Sequence, residues 1–135
     1  MIYVTVEDII AFHEQEVGPG ILVDRSALES AAARPQQSAF GEDAYPDFPT
    51  KAAALLDGVV NAHAFVDGNK RAGLGALDLF CVLNGLSFAA SDIEAYEVTM
   101  AVAKAPGSLD IQIVAEMIQA HLVPLPLDQV PLDDE

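Results

Sequence analysis

The chain has 135 residues, the length of one domain, and its 52% apolar and 20% charged residues describe a chain that packs a core instead of staying disordered. It holds 21 acidic residues against 6 basic ones, a net charge of −15, which sets it against direct nucleic-acid binding and against anionic membranes. It contains no apolar run of ~18 residues, its opening MIYVTVEDII lacks the basic region of a secretory signal, and its one cysteine, Cys81, can form neither an internal disulfide nor a multi-cysteine zinc site, so a reducing, cytoplasmic setting fits best.

The elements read as mostly helical. Thr5 and Asp8 have the spacing of a capping box, and Ile9, Ile10, His13 and Val17 recur as a helical stripe that Gly18-Pro19-Gly20 stops. A second, alanine-rich helix is predicted over 26–34, ended by Pro35. Residues 36–49 mix Gly, Pro and aromatics without a helical period and read as a surface loop or small hairpin. Thr50 then caps a third helix, KAAALLDGVVNAHAF, with Leu55, Leu56, Val59, Val60 and His63 on one side. Val66-Asp67-Gly68-Asn69 is turn chemistry. A fourth helix follows to Asn84, with Gly85 just past its end, and it is apolar nearly all round between Leu74 and Leu83, as the buried centre of a domain is. Ser91 with Glu94 boxes a fifth helix that Pro106-Gly107 terminates, and Ser108 caps a sixth carrying Val114, Met117, Ile118 and His121. The last stretch, PLPLDQVPLDDE, reads as a loosely held acidic tail, so the chain divides into a domain over 1–122 and a proline-rich acidic tail over 123–135.

Most isolated signals resolve to structure. Gly73-Leu74-Gly75 lacks the third glycine and the preceding strand of a dinucleotide fingerprint, and Gly68-Asn69-Lys70-Arg71 lacks the upstream glycine and the Ser/Thr of a phosphate-binding loop of the Walker type. Cys81 sits in an apolar helix as a core residue, and His13 and His121 read as structural histidines on amphipathic helices.

The segment HAFVDGNKR, residues 63–71, is different. It joins the end of one helix to the start of the next, where amides at Gly68, Asn69 and Lys70 and the helix dipole favour an anion, and where Lys70 and Arg71 add two of the chain's six cations. Asp67 has the chemistry to hold a hard cation against phosphates, and His63 to take a proton from a hydroxyl. The spacing alone leaves two readings open: a polyphosphate cradle with a base, or a turn with a capped helix and two solvated cations.

HAFVDGNKR resembles the signature of the Fic/Doc superfamily, in its death-on-curing (Doc) branch. Residues 20–31 resemble that branch's stretch before its second helix, Pro35, Phe40-Gly41-Glu42 and Tyr45-Pro46 its flap region, and residues 76–85 its central helix, so the likeness covers roughly 2–122. The resemblance implies an all-α Fic/Doc-type domain with a small flap loop or hairpin. It implies His63 as catalytic base, Phe65 as buried anchor, Asp67 as the Mg²⁺ ligand, Gly68 and Asn69 as shapers of the anion nest, and Lys70 and Arg71 as holders of the ATP phosphates. Phe40, Gly41 and Tyr45 would belong to a flap that aligns a target segment. Ala64, Lys70 and Leu74 depart from the pattern of AMP-transferring Fic enzymes, which carry a proline, a glycine and a second arginine there. The implied function is a toxin of a toxin–antitoxin pair, a kinase that passes the γ-phosphoryl group of ATP to a Ser/Thr hydroxyl of a translation factor, elongation factor Tu foremost. AMP transfer to a protein hydroxyl and a non-catalytic binding module are the alternatives. No S/T-x-x-x-E-G/N inhibitory segment is present, so control falls to a separate Phd-like antitoxin.

Overall fold

Thr5 starts the first helix as its spacing predicts: its hydroxyl accepts from the Asp8 amide at 3.1 Å while the Asp8 carboxylate accepts from the Thr5 amide at 3.0 Å. In the computed structural model, which describes residues 1–19, 21–103 and 110–129, this helix, α1, covers Val6–Glu16. The Asp24 carboxylate caps α2, Arg25–Ala33, and Pro35 falls in a 3₁₀ turn, Arg34–Gln36, that follows it. Residues 38–43 form a hairpin of β1, Ser38–Ala39, and β2, Glu42–Asp43, turned by Phe40 and Gly41 at φ 54° and 80°. Two successive positive φ values are those of a tight hairpin turn whose twist matches its strands. The loop-or-hairpin expectation is thus met by a hairpin, exposed throughout its strands.

The third helix, α3, runs Phe48–Ala62 and corrects the expected cap. Asp47, not Thr50, is the N-cap. Its carboxylate accepts the Thr50 amide at 2.9 Å, and Thr50 serves as the reciprocal partner one turn in. Pro49 lies in the first turn, where an amide is not required. At its far end α3 stops at Ala62, so His63 is off the apolar stripe. The cause is non-local. Residues 64–66 run antiparallel to 21–23, with Val23 N–H donating to the Ala64 carbonyl at 2.7 Å and Val66 N–H to the Ile21 carbonyl at 3.1 Å. These bonds pull the chain out of the helix at His63.

α4, Asn69–Leu83, ends at Asn84 with Gly85 at φ 77°, as expected of a helix closed by glycine. It is not the centre of the domain. α3 is: Ala52, Ala53, Ala54, Leu55, Leu56, Val59 and Val60 are all buried, and α3 packs against α2, α4, α5 and α6. α4 instead brings neighbours in closely through its small residues. A Cβ on Gly73 would lie 2.5 Å from a Val60 methyl, and one on Gly75 would overlap the Phe12 ring of α1. Cys81 is fully buried, and burial first, then the Asp78 charge, pushes its thiol up to about 12, the setting of an inert core residue.

The Ser91–Glu94 box opens α5, Asp92–Ala103; Pro106-Gly107, expected to end it, lie outside the described residues. α6, Ile111–Gln119, has Asp110 as its N-cap, whose carboxylate takes the Gln112 amide at 2.9 Å; Ser108, the expected cap, lies outside the described residues. His121 lies past the end of α6. Two short strands absent from the sequence reading, β3 (Leu86–Phe88) and β4 (Leu122–Pro124), pair antiparallel with Ser87 opposite Val123. Pairing therefore reaches into the stretch read as tail, and a 3₁₀ turn, Leu127–Gln129, follows. The fold is mainly helical, with six helices and two small two-stranded sheets among the described residues. None of those helices is long and apolar enough to cross a membrane.

Candidate active site

The segment from His63 to Arg71 is shaped by hydrogen bonds that a run of turn residues does not announce. Phe65 is buried and the Asn69 side chain clamps it: its Oδ1 accepts the Phe65 amide at 3.1 Å and its Nδ2 donates to the Phe65 carbonyl at 2.9 Å. Asn69 is thus both the first residue of α4 and the brace of the loop before it. Gly68 takes φ 80° and heads α4 without any side-chain cap. Its own amide is occupied, donating to Asp67 Oδ1 at 2.8 Å, so the free amides expected at 68–70 begin one residue later. The first bond of α4 is from Ala72 N–H to the Gly68 carbonyl at 2.9 Å.

His63, left-handed at φ 48° and ψ 41°, is exposed at the C-terminal end of α3. A non-glycine residue held in this region stores strain, and histidine is among the side chains that tolerate it. His63, Asp67, Gly68, Asn69, Lys70 and Arg71 line one cleft of about 440 Å³, within the range of small-ligand sites. The structure therefore brings together the expected base, metal ligand, nest and phosphate holders. A second cleft of about 240 Å³ shares Lys70 and Arg71 and is bounded by Leu74, Tyr96 and Thr99.

Charge is distributed to match. Among the described residues, Arg25 pairs with Glu7 and Glu29, Arg34 with Asp57 at 2.5 Å, and Lys51 with Asp43 at 3.5 Å. No carboxylate of the described residues pairs with Lys70 or Arg71. In a chain with this excess of acid, the two motif cations stand at the positive end of a helix dipole, a setting that favours an anion. Arg71 donates from Nη1 to the Glu16 carbonyl at 3.3 Å, which ties it to the last turn of α1.

The flap residues sit on the hairpin. Phe40 stands fully exposed at its tip. Tyr45 is half-buried, its hydroxyl accepting from Arg34 Nε at 3.0 Å, with the guanidinium 5.6 Å from its ring centroid. The base of the hairpin is held by Lys51, a buried lysine whose ammonium donates to the Pro35 carbonyl at 3.1 Å.

One residue beside the site was read from sequence only as a structural histidine. His13 is 1% exposed, its ring stacked on Phe65 with centroids 3.8 Å apart and planes 5° from parallel, and its Nε2 lies 2.7 Å from the Asp67 carbonyl. Its place on the α1 stripe signals burial, but nothing in the sequence links it to a loop 54 residues away.

A magnesium ion implied by the resemblance finds a suitable donor here. Asp67 keeps Oδ2 free while Oδ1 holds the Gly68 amide. Among the described residues no cluster of three or more His, Cys, Asp or Glu forms a closed metal cage. One carboxylate completed by phosphate oxygens and water is how Mg²⁺ is commonly held beside a nucleotide.

Residues 3–81 match the model of the Fic/DOC family. The chain is also 42% identical over 89 residues to Toxin Doc of Mycolicibacterium smegmatis, an alignment that takes in 65% of this chain and 68% of that protein. The family match spans more than half of the chain, from α1 to the buried turn of α4, and takes in all of HAFVDGNKR: this protein belongs to the Fic/DOC family.

Proposed function

We propose that the chain is a Doc-like toxin of a toxin–antitoxin pair, working in the cytoplasm as a protein kinase that transfers the γ-phosphoryl group of ATP to a Ser/Thr hydroxyl of a translation factor, with elongation factor Tu the first candidate. The observation that carries this reading is the single cleft in which exposed His63, Asp67, the uncapped start of α4 and two cations with no carboxylate partner among the described residues converge. The likeness to a protein named Toxin Doc supports it. So do Lys70 and Leu74, which stand where AMP-transferring Fic enzymes have a glycine and a second arginine.

In this reading the substrate hydroxyl oxygen forms a bond to the γ-phosphorus as the bond from that phosphorus to the β–γ bridging oxygen breaks. The hydroxyl proton passes to His63, and ADP leaves. Asn69, Lys70 and Arg71 hold the phosphates, the amides of the first α4 turn and the two cations meeting the charge that builds on them. Asp67 would hold Mg²⁺, which when bound neutralises phosphate charge. The hairpin around Phe40 and Tyr45 offers a surface along which a target segment can lie. In this reading control comes from a separate Phd-like antitoxin, as the likeness to a protein named Toxin Doc suggests.

The deciding experiment incubates the purified chain with a cell lysate and either γ-labelled or α-labelled ATP. Label entering protein from the γ position alone is the expected result. Label from the α position makes the chain an AMP transferase, and label from neither makes it a binding module.

A further inference from the structure

The last turn of α1 lies outside HAFVDGNKR yet touches it at four points: His13 stacks on Phe65 and meets Asp67, Val17 underlies Gly68, and the Glu16 carbonyl accepts from Arg71. His13 is the member of this group whose chemistry exceeds packing. The atom opposite its Nε2 is a carbonyl oxygen, which has no proton to give, so Nε2 carries the hydrogen and donates. Its other nitrogen, Nδ1, is buried with no partner among the described residues. A buried polar atom without a partner costs free energy that an apolar side chain stacked on Phe65 would avoid, so the imidazole is retained for the bond it does make.

That bond bears on the site through the geometry of one peptide. In a trans peptide unit the carbonyl and the amide point in opposite directions. Holding the Asp67 carbonyl toward His13 therefore turns the Gly68 amide the other way, and there it meets Asp67 Oδ1 at 2.8 Å. The Asp67 carboxylate is thereby fixed by the amide that follows it, with Oδ2 left over for a ligand.

We infer that His13 is a positioning residue: its Nε2–H sets the Asp67–Gly68 peptide, and through it the carboxylate that would hold a divalent cation against a polyphosphate. The inference rests on the reading of the cleft as a polyphosphate site. It separates two jobs of one ring, since the stack on Phe65 contributes stability and the N–H contributes orientation.

The test uses the full chain, two variants and inorganic pyrophosphate with Mg²⁺ as the probe, followed by calorimetry, with thermal unfolding measured alongside. His13→Phe keeps an aromatic plate on Phe65 and removes the donor. It is expected to melt closest to the parent and to bind Mg²⁺-pyrophosphate about tenfold more weakly, the ~1.4 kcal/mol that one hydrogen bond can carry. His13→Gln loses the stack but keeps an N–H that reaches the carbonyl. It melts lower than His13→Phe and binds more tightly than it. Stability and binding then rank the two variants in opposite orders, which a purely structural histidine cannot produce. Matching orders, or parent-like binding by folded His13→Phe, overturn the inference. On the parent alone, long-range proton–nitrogen NMR of His13 should report the Nε2–H tautomer, and the Nδ1–H tautomer overturns it whatever the variants do. A parent that binds no pyrophosphate overturns this inference and the polyphosphate reading together. A parent that binds it with the His13→Phe loss intact, yet transfers no phosphoryl group to protein, removes only the kinase.

Discussion

Gly68→Ala tests the closeness of α1 to the motif. Gly68 sits at φ 80°, and a Cβ there would lie 2.9 Å from both Val17 methyls and 3.1 Å from His13 Nε2. Two costs follow. Placing an alanine in the left-handed region costs roughly 1–2 kcal/mol, and forcing its methyl into a packed contact about 1–3 kcal/mol more. The stiffer unfolded chain returns about 0.4–1 kcal/mol. The net destabilisation is about 1–5 kcal/mol, which for a chain of this size lowers the melting temperature on the order of 10 °C. The background Val17→Ala separates the parts. It removes both methyls at 2.9 Å and leaves the φ cost untouched, so Gly68→Ala in that background should cost only about 1 kcal/mol, a coupling of at least ~1 kcal/mol. Urea unfolding of the four proteins, with m values compared, measures the cycle. Equal costs of Gly68→Ala in both backgrounds would refute the contact argument, and a cost below ~0.5 kcal/mol in the parent would refute the backbone argument as well.

Three further outcomes are expected. His63→Ala should cut transfer to protein by about 10²–10⁴-fold while pyrophosphate binds as in the parent, because the base acts on the hydroxyl and not on the phosphates; full transfer removes His63 from the mechanism. Asp57→Ala strands the Arg34 guanidinium, whose side chain is 24% exposed in a pair held at 2.5 Å. The loss should fall between the surface and buried limits, about 2 kcal/mol, and an unchanged melting temperature would contradict it. Asp78 is raised from 3.8 to about 6 by the desolvation of its carboxyl against apolar α4. The penalty falls on the charged form, so the relative stability is held below the unfolded value and is lost as pH rises through about 6. Asp78→Asn should therefore gain melting temperature over the parent between pH 4 and pH 7. The residue is exposed along one side, so water screens the charge and the gain is small; a difference independent of pH would refute the assignment.

Much of the chain was legible because its signals are local. A cap and a Pro or Gly stop each act over a few residues, and Thr5-Asp8, Ser91-Glu94 and Gly85 all behave in the structure as their spacing implies. HAFVDGNKR was legible for a related reason: the site chemistry is compressed into one helix–turn–helix junction, and its side chains were recognisable without knowing what surrounds them. The misplaced cap at Thr50 was also a local matter: Asp47, one turn earlier, has the stronger acceptor and takes Thr50 as its reciprocal partner, whereas Ala53 can return no bond to Thr50.

What only the tertiary structure decided is where distant segments meet. The pairing of 64–66 with 21–23 ended α3 at Ala62 and put His63 into the cleft in place of the core. The approach of α1 placed His13 on Phe65 and Asp67, and the Glu16 carbonyl on Arg71. α3, not α4, took the centre: it packs against α2, α4, α5 and α6, with Gly58 admitting Ala31 of α2 and Gly73 of α4 admitting Val60. Hydropathy ranks residues by their preference for burial, but which helix is surrounded depends on how closely the others can approach. That is set by side-chain volume at crossings between segments far apart in the chain, and no local pattern carries it.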